Sequence, residues 1–280
     1  MLRRAVALIG VVQMVAGCSP AGDESLPSGF ITGTSIHHLK VGGRDRNYRL
    51  YQPAGLPASA PLVIMLHGIT GSAVQAERSY GWDELADSQR FVIAYPDGVG
   101  RAWNVNGGGC CGRPQREGVD DVAFIGAAVA DIVRNVSINA SRIYAAGMSN
   151  GGIMSYTLAC HTGIFAAIGA VAGTQLDSCR SPHPASVMEI HGTADELVPY
   201  HGGQGASIIN GPSAPDVNLF WRNVDQCRAP SVTTAGGVTT STAGCADNRG
   251  VVLITIDGGA HEWPGFAAQT LWQFFAAQPH

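Results

Sequence analysis

One serine in this sequence has neighbours that suit a nucleophile. The segment reads Gly147-Met148-Ser149-Asn150-Gly151, a G-x-S-x-G pattern between a short apolar run (143–146) and apolar residues at helical spacing. A tight turn there lifts the serine oxygen clear of a sheet, and small neighbours avoid clashes. The helix beginning after Ser149 offers unpaired N–H groups to an oxyanion. Because the chain holds 37 glycines, the pattern alone also fits a glycine-rich turn.

Two further residues can complete a proton path to this serine. A serine hydroxyl is a weak nucleophile at neutral pH and needs an imidazole that accepts its proton and later returns it. His261 follows a predicted last strand (251–256), and Asp195 follows another predicted strand (186–190). A carboxylate there would orient the imidazole and stabilise its charged form. Glu196 is the nearest competitor, but the spacing G-x-x-D-x-x-V-P favours Asp195.

A third segment can supply donors to an oxyanion. The continuous apolar run 61–66 is typical of a strand buried on both faces, and it leads directly into a His-Gly turn. One donor would be the backbone N–H of Ile69 or of Thr70. The other would be that of Asn150, just after the nucleophile. We interpret the His67 side chain as a support for the turn, because the turn contributes backbone donors.

The order of the predicted elements indicates one doubly wound domain. Apolar runs typical of strands alternate with segments of helical spacing, and no internal repeat is present. The chain order serine, aspartate, histidine is that of the α/β-hydrolase fold. We therefore predict a single α/β-hydrolase domain over residues 31–280, with a mostly parallel sheet and no large lid. Predicted strands are 36–41, 46–52, 61–66, 91–95, 143–146, 166–173, 186–190 and 251–256; predicted helices are 80–89, about 119–135, one from 153, 216–224 and 266–276.

Seven motifs together resemble one family of secreted esterases. They are Leu66-His-Gly68, Tyr95-Pro-Asp-Gly98, Trp103-Asn104 with Cys110-Cys111-Gly112, Val119-Asp-Asp-Val122, Gly147-Met-Ser-Asn-Gly-Gly152, His191-Gly-Thr-Ala-Asp195 with Val198-Pro-Tyr200, and His261-Glu-Trp-Pro-Gly265. From about residue 35 to the end, the chain is similar to polyhydroxybutyrate depolymerase-like, feruloyl esterase-like and acetylxylan esterase-like proteins, and more narrowly to mycobacterial lipoprotein esterases. The resemblance implies hydrolysis of carboxylic esters by Ser149, Asp195 and His261. It does not choose among polyester, feruloylated polysaccharide and acetylated sugar.

Three aromatic residues are candidates for contact with the substrate. A long loop (99–118) inside a compact domain is usually functional, and we interpret it as one wall of the site. Trp103 in that loop is a candidate stacking surface, and packing is the equal alternative. Tyr200 and Trp263 lie close in sequence to the candidate acid and base. Packing is the alternative for both.

Composition and the first residues bear on location. Net charge is −4 with few charged residues, so nothing indicates nucleic-acid binding or attraction to an anionic membrane. No apolar run is long enough to span a bilayer.

Residues 1–17 read as a signal peptide, and Val15-Ala16-Gly17-Cys18 resembles a bacterial lipobox. We expect an extracytoplasmic lipoprotein attached to the membrane only through Cys18, with a flexible tether over 18–30. A plain secretory signal with Cys18 incidental is the alternative.

The other six cysteines suggest disulfides, because their number is even and an exported chain meets an oxidising compartment. Cys227 with Cys245 is the first candidate pair, since it would close a Thr/Gly-rich excursion. Cys160 with Cys179 is the second. The adjacent Cys110 and Cys111 would then pair with each other or with cysteines elsewhere. No C-x-x-C pair or His/Cys cluster has metal-ligand spacing, so we expect no metal and no cofactor.

Two other functions fit parts of the same pattern. A serine peptidase of the prolyl-oligopeptidase type shares the fold and the chain order of the three residues. A non-catalytic surface binding protein could use a hydrolase scaffold. The leading hypothesis is an exported serine carboxylesterase that acts on small or polymer-derived esters.

Overall fold

The computed structural model describes residues 29–107, 110–206 and 208–278. The predicted signal peptide (1–17), the predicted lipidation site Cys18 and nearly all of the predicted tether (18–30) lie outside the described residues. In the part of the chain that the model describes, no helix has both the length and the apolar character needed to cross a bilayer.

A ten-stranded sheet forms the centre of the molecule. Its strand order is β1-β2-β4-β3-β5-β6-β7-β12-β11-β10, and the six strands from β4 to β12 in this order are parallel. An antiparallel hairpin extends each edge. The strands are β1 Gly33–Val41, β2 Arg44–Gln52, β3 Ala60–Leu66, β4 Val92–Pro96, β5 Ile138–Met148, β6 Ala167–Val171, β7 Ser186–Gly192, β10 Ser231–Ala235, β11 Val238–Gly244 and β12 Gly250–Ile256; β8 Gly203–Gln204 and β9 Asn210–Gly211 form a separate pair.

Helices cover both faces of the sheet, which confirms the predicted doubly wound α/β arrangement. Every residue of β3 is buried, because alternate side chains point into two separate cores. Leu62 and Ile64 pack in one core, with residues of α4, α5 and α6. Val63 and Met65 pack in the other, with residues of α1, α2 and α7. The helices are α1 Ala73–Ser79, α2 Trp82–Gln89, α3 Gly112–Arg116, α4 Asp121–Asn135, α5 Asn150–His161, α6 Ala214–Val224 and α7 Ala267–Ala276.

Two short helices differ from the sequence prediction. Helix α1 was not expected, and it begins where the Ser72 side chain accepts a hydrogen bond from the Gln75 N–H. The predicted loop 99–118 contains α3 and a 3₁₀ turn over Val99–Arg101. The Asp120 side chain caps the start of α4, because its carboxylate accepts a hydrogen bond from the Ala123 N–H at 2.8 Å.

Three disulfides close loops around this sheet. Cys227 pairs with Cys245 and Cys160 with Cys179, as the sequence favoured. The adjacent residues Cys110 and Cys111 pair with each other. The last pair lies in the segment between β4 and α4, next to the turn that carries Ser149, and its contact with that turn is described below.

Candidate active site

Ser149 occupies a sharp corner between β5 and α5. Its φ of 56° and ψ of −120° are costly for a residue with a side chain, and such strain is typical of functional sites. A Cβ on Gly147 would lie 2.2 Å from the Gly151 carbonyl. A Cβ on Gly151 would lie 2.1 Å from the Leu66 carbonyl oxygen of β3. Both positions therefore require glycine, because the corner brings β5 against the start of α5 and the start of α5 against the end of β3.

Asp195 and His261 meet at the carboxyl ends of two neighbouring parallel strands. Strands β7 and β12 pair up to Gly192 and Ile256, so the loops that follow them leave the sheet side by side. The Nδ1 atom of His261 lies 2.7 Å from Oδ2 of Asp195. The other carboxylate oxygen of Asp195 accepts hydrogen bonds from the backbone N–H groups of Leu197 and Val198 at 2.9 and 2.8 Å.

The same carboxylate is held ionised. Burial is the largest influence on Asp195 and by itself would raise its pKa. The hydrogen bonds from His191, His261 and the Val198 N–H outweigh burial, so the pKa of Asp195 lies well below its usual range. An ionised carboxylate at this position can orient the His261 ring and stabilise a proton on it.

Ser149 and His261 line one cavity of about 400 Å³. None of its lining residues is an aspartate, glutamate, lysine or arginine. The cavity therefore favours neutral groups. Its other lining residues are Gly68, Ile69, Thr70, Gly71, Gln75, Tyr80, Met148, Leu197 and Ile209.

The structure separates the two candidates for the first oxyanion donor. The N–H of Thr70 already donates to the Arg101 carbonyl at 2.8 Å, so it is not free for an oxyanion, and this alternative is corrected. Among the hydrogen bonds of the described residues, none has the Ile69 N–H as its donor. The turn lies close to the nucleophile, since a Cβ on Gly68 would be 3.4 Å from the Cβ of Ser149.

Asn150 begins α5, so its backbone N–H lies in the helix's first turn, where no intrahelical acceptor exists. Its buried side chain is held from several directions. Oδ1 accepts from the Trp103 N–H at 2.7 Å, and Nδ2 donates to the Trp103 carbonyl at 3.2 Å. Nδ2 also lies 3.2 Å from Sγ of Cys111. The residue after the nucleophile is thus fixed against the loop that contains the adjacent disulfide.

His67 has a structural position, as interpreted from the sequence. Its Nε2 accepts from the Gly98 N–H at 3.0 Å, so a neutral ring carries its proton on Nδ1 and donates it to the Gly68 carbonyl at 2.8 Å. Burial lowers the pKa of His67, which agrees with a neutral ring.

The prediction that Trp103 and Tyr200 contact the substrate is corrected. Trp103 has no exposed surface, packs on His67 and donates its indole N–H to the His67 carbonyl at 2.8 Å. Tyr200 is buried, and its hydroxyl lies 2.8 Å from Oγ1 of Thr255. Neither residue lines the cavity, because each packs beneath the loops that form it.

Trp263 remains a candidate at the edge of the cavity. Its ring stacks on that of Tyr80, with the centroids 4.5 Å apart, and Tyr80 lines the cavity. The cavity is also lined by Tyr80, Met148, Leu197 and Ile209, which were not predicted from the sequence. Apolar residues in turns carry no local signal that separates a pocket wall from packing.

A buried polar chain behind Asp195 was also missed. His191 directs Nε2 toward Asp195 Oδ2 at 3.2 Å and Nδ1 toward Glu189 Oε1 at 2.7 Å. The Tyr156 hydroxyl donates to the other Glu189 oxygen at 2.9 Å. A polar residue within a strand that reads as fully buried, here Glu189, is the sequence signal that points to this chain. Among the described residues, no group of three histidine, cysteine, aspartate or glutamate side chains is placed to hold a metal ion.

Known proteins that are similar to this chain are named esterases. The family model described as Esterase PHB depolymerase matches residues 46–200. The protein NocK from Nocardia uniformis subsp. tsuyamanensis, which carries the name of an esterase, is 34% identical over 83% of this chain and 74% of its own length. Feruloyl esterase C from Emericella nidulans is 28% identical over 85% of this chain and 86% of its own. The fold is similar to that of acetyl xylan esterase from Aspergillus awamori, with a TM-score of 0.68, 16% identity, and coverage of 87% of this chain and 99% of that one.

Proposed function

Because this chain belongs to the Esterase PHB depolymerase family, we propose that it is a serine carboxylesterase with Ser149, Asp195 and His261 as its catalytic residues. The observation that carries the proposal is the 2.7 Å contact between His261 and Asp195. A second observation supports it, because Ser149 and His261 line the same cavity. These three residues come from segments far apart in the chain. An accidental meeting of an alcohol and an imidazole in one cavity, with a buried carboxylate behind the imidazole, is rare.

The acylation step uses each group in turn. His261 Nε2 accepts the hydroxyl proton while Ser149 Oγ forms a bond to the ester carbonyl carbon. The carbonyl oxygen becomes an oxyanion, stabilised by the N–H groups of Ile69 and Asn150. The bond from carbon to the alcohol oxygen then breaks, and the leaving alcohol takes the proton from His261. An acyl group is left on Ser149.

Deacylation repeats the same steps with water. His261 accepts a proton from the water molecule as its oxygen attacks the acyl carbon, and a second oxyanion forms in the same place. The bond to Ser149 Oγ breaks, the serine recovers its proton from His261, and the carboxylic acid leaves. Throughout both half-reactions Asp195 stays ionised and holds the ring through Nδ1.

The proposed function is tested by removing the nucleophile. We expect Ser149→Ala to retain at most about 10⁻³ of the wild-type kcat on an activated ester. Ser155→Ala is the matched control, because Ser155 is a buried serine of α5 whose hydroxyl donates to the Gly151 carbonyl at 3.1 Å. Normal turnover by Ser149→Ala, or no labelling of Ser149 by a fluorophosphonate in the wild type, would reject the proposal.

The cavity suggests which esters to test. Its uncharged, largely apolar wall suits a neutral acyl group, and the named relatives point to feruloyl and acetylated-sugar esters. We propose that the substrate belongs to the feruloyl, acetylxylan or hydroxybutyrate ester class. Acetyl, butyryl, feruloyl and 3-hydroxybutyryl esters assayed together would rank these classes by kcat/KM. A peptide substrate included in the panel and cleaved with equal kcat/KM would instead support a peptidase.

We further propose that the protein is exported and anchored through a lipid on Cys18. Its three disulfides support an oxidising location. Metabolic labelling with a radioactive fatty acid should mark the wild type and leave Cys18→Ser unmarked. Export of both forms, with the label absent from both, would support a plain secretory signal.

A further inference from the structure

The surroundings of His191 carry an inference beyond the three catalytic residues. This side chain is 1% exposed and lies at the end of β7, four residues before Asp195. Both of its ring nitrogens face oxygen atoms. Nδ1 lies 2.7 Å from Glu189 Oε1, and Nε2 lies 2.8 Å from the Val198 carbonyl oxygen and 3.2 Å from Asp195 Oδ2.

These oxygen atoms favour one protonation state of the His191 ring. A neutral imidazole has one donor and one acceptor nitrogen, whereas the imidazolium has two donors. A carbonyl oxygen cannot donate, so the proton on Nε2 is required by Val198. The Tyr156 hydroxyl donates to Glu189 at 2.9 Å, which favours the carboxylate form of Glu189 and therefore a second proton on Nδ1 of His191.

We propose that His191 is a permanently charged imidazolium that positions Asp195 and sets the pH range of the catalytic His261. This inference rests on the proposed function. His191 shares the Oδ2 atom of Asp195 with His261, so it acts through Asp195 and touches neither the substrate nor the serine.

The arrangement balances charge around the reaction. Glu189 and Asp195 are two buried carboxylates, and His191 compensates one of them. The remaining negative charge is balanced only when His261 takes the serine proton, which is the state that forms during acylation. Because the charged His191 ring faces Asp195, this carboxylate attracts a proton on His261 less strongly before the reaction begins. We therefore expect the acid limb of kcat/KM to lie at lower pH with this cation in place than without it.

Other groups around His191 support this state. Titratable groups facing it are Glu189 of the same strand, Asp195 of the following turn and Tyr200, whose ring meets it edge-on at 5.7 Å. Tyr156 of α5 lies behind Glu189. Burial is the largest influence on His191 and would lower its pKa. The hydrogen bonds to Asp195, Glu189 and the Val198 carbonyl exceed it and raise the pKa of His191 to about 10.

The test is a charge-removing substitution that keeps a donor. The amide of His191→Gln can present a neutral N–H near the Nε2 position. The substitution therefore removes the positive charge and keeps a hydrogen-bond donor. We expect the acid limb of kcat/KM to move up by about half to one pH unit. KM should stay within about twofold, because His191 does not line the cavity. Rates are normalised to fluorophosphonate-reactive Ser149, so unfolded protein does not enter the comparison.

A matched control removes another histidine that pairs with an aspartate. His161 Nε2 lies 2.6 Å from Asp177 Oδ2 at the end of α5, away from the catalytic cavity. His161→Gln should leave the acid limb in place. An unmoved acid limb in active His191→Gln would overturn the inference. Normal turnover by Ser149→Ala would instead overturn the proposed function, so the two failures are distinguishable.

A measurement on the wild type covers the case in which His191→Gln does not fold. With ¹⁵N-labelled histidine assigned through the backbone, both ring nitrogens of His191 should show protonated shifts at pH 8, where an ordinary histidine is neutral. An unprotonated Nδ1 at that pH would place the shared proton on Glu189 and overturn the inference.

Discussion

Asn150 serves the site through its backbone and its side chain together. We propose its N–H as an oxyanion donor, and a backbone group is only as well placed as the residue that carries it. The side chain supplies that placement through Trp103 and the sulfur of Cys111. Asn150 has no exposed surface, so these contacts have no competition from water.

Loss of that side chain should therefore reduce catalysis more than binding. We expect Asn150→Ala to lower kcat about tenfold or more, because the N–H moves relative to the oxyanion. It should also lower the free energy of unfolding by about 1–3 kcal/mol, because the Trp103 N–H loses its acceptor. Steady-state kinetics and urea unfolding measure the two effects.

Asn104 provides the control for Asn150. Its side chain donates to the Val119 carbonyl at 2.9 Å and accepts from the Asn106 N–H at 3.3 Å, and neither partner is a catalytic residue. Asn104→Ala should affect stability with kcat nearly unchanged. Equal losses of kcat in the two variants would show that the Asn150 side chain has no special place in the site.

At the scale of elements, the junction of β3, β5 and α5 decides where Ser149 stands. A Cβ on Gly147 would contact the start of α5, and a Cβ on Gly151 would contact the end of β3. A side chain at position 147 would push β5 away from α5, and a side chain at position 151 would push α5 away from β3. Asp195 and His261 depend on a similar approach, because a Cβ on Gly192 would lie 2.1 Å from the Gly259 carbonyl oxygen.

A pair of glycine substitutions tests this view of the junction. We expect Gly147→Ala to abolish turnover and to destabilise the protein strongly, because the new Cβ would meet backbone atoms 2.2 Å away that cannot move aside. Gly126→Ala, inside α4, meets its first neighbour at 3.8 Å and should raise the free energy of unfolding by about 0.5–1 kcal/mol. Thermal unfolding and kcat are the readouts. A Gly147→Ala variant with wild-type kcat would contradict the close packing described for the corner.

In the whole molecule, short connecting segments of the single domain form much of the cavity wall. Leu197 and Ile209, which line the cavity, come from the connection between β7 and α6, and Ile69 and Thr70 come from the turn after β3. Ile69, Leu197 and Ile208 are large apolar residues with 42–54% of their surface exposed. We propose that no lid must move before a substrate reaches Ser149.

The proposal that no lid moves predicts ordinary saturation kinetics. We expect the rate on a short acyl ester to rise hyperbolically with concentration and to show no increase as the substrate passes its solubility limit. The measurement is an initial-rate curve through that limit with butyryl and longer esters. A sharp rise in rate at the limit would indicate activation at a lipid surface and would contradict the proposal.

The amino-acid sequence by itself determined the parts of this protein that depend on local pattern. Continuous apolar runs located the buried strands, since a strand covered on both faces has to be apolar throughout. Glycines marked the corner at Ser149, and chain order singled out Asp195 and His261 at the ends of their strands. The first and second candidate disulfides, Cys227–Cys245 and Cys160–Cys179, are both present.

Tertiary structure alone decided which groups face the cavity and which are packed away. Trp103 and Tyr200 are buried, and the Thr70 N–H donates a hydrogen bond to the Arg101 carbonyl. None of these outcomes is visible in a linear sequence, because burial and hydrogen-bond partners are set by segments far apart in the chain. The same holds for His191, whose partners Glu189, Asp195 and Val198 become acceptors around one ring only when β7 and the turn after it have folded together.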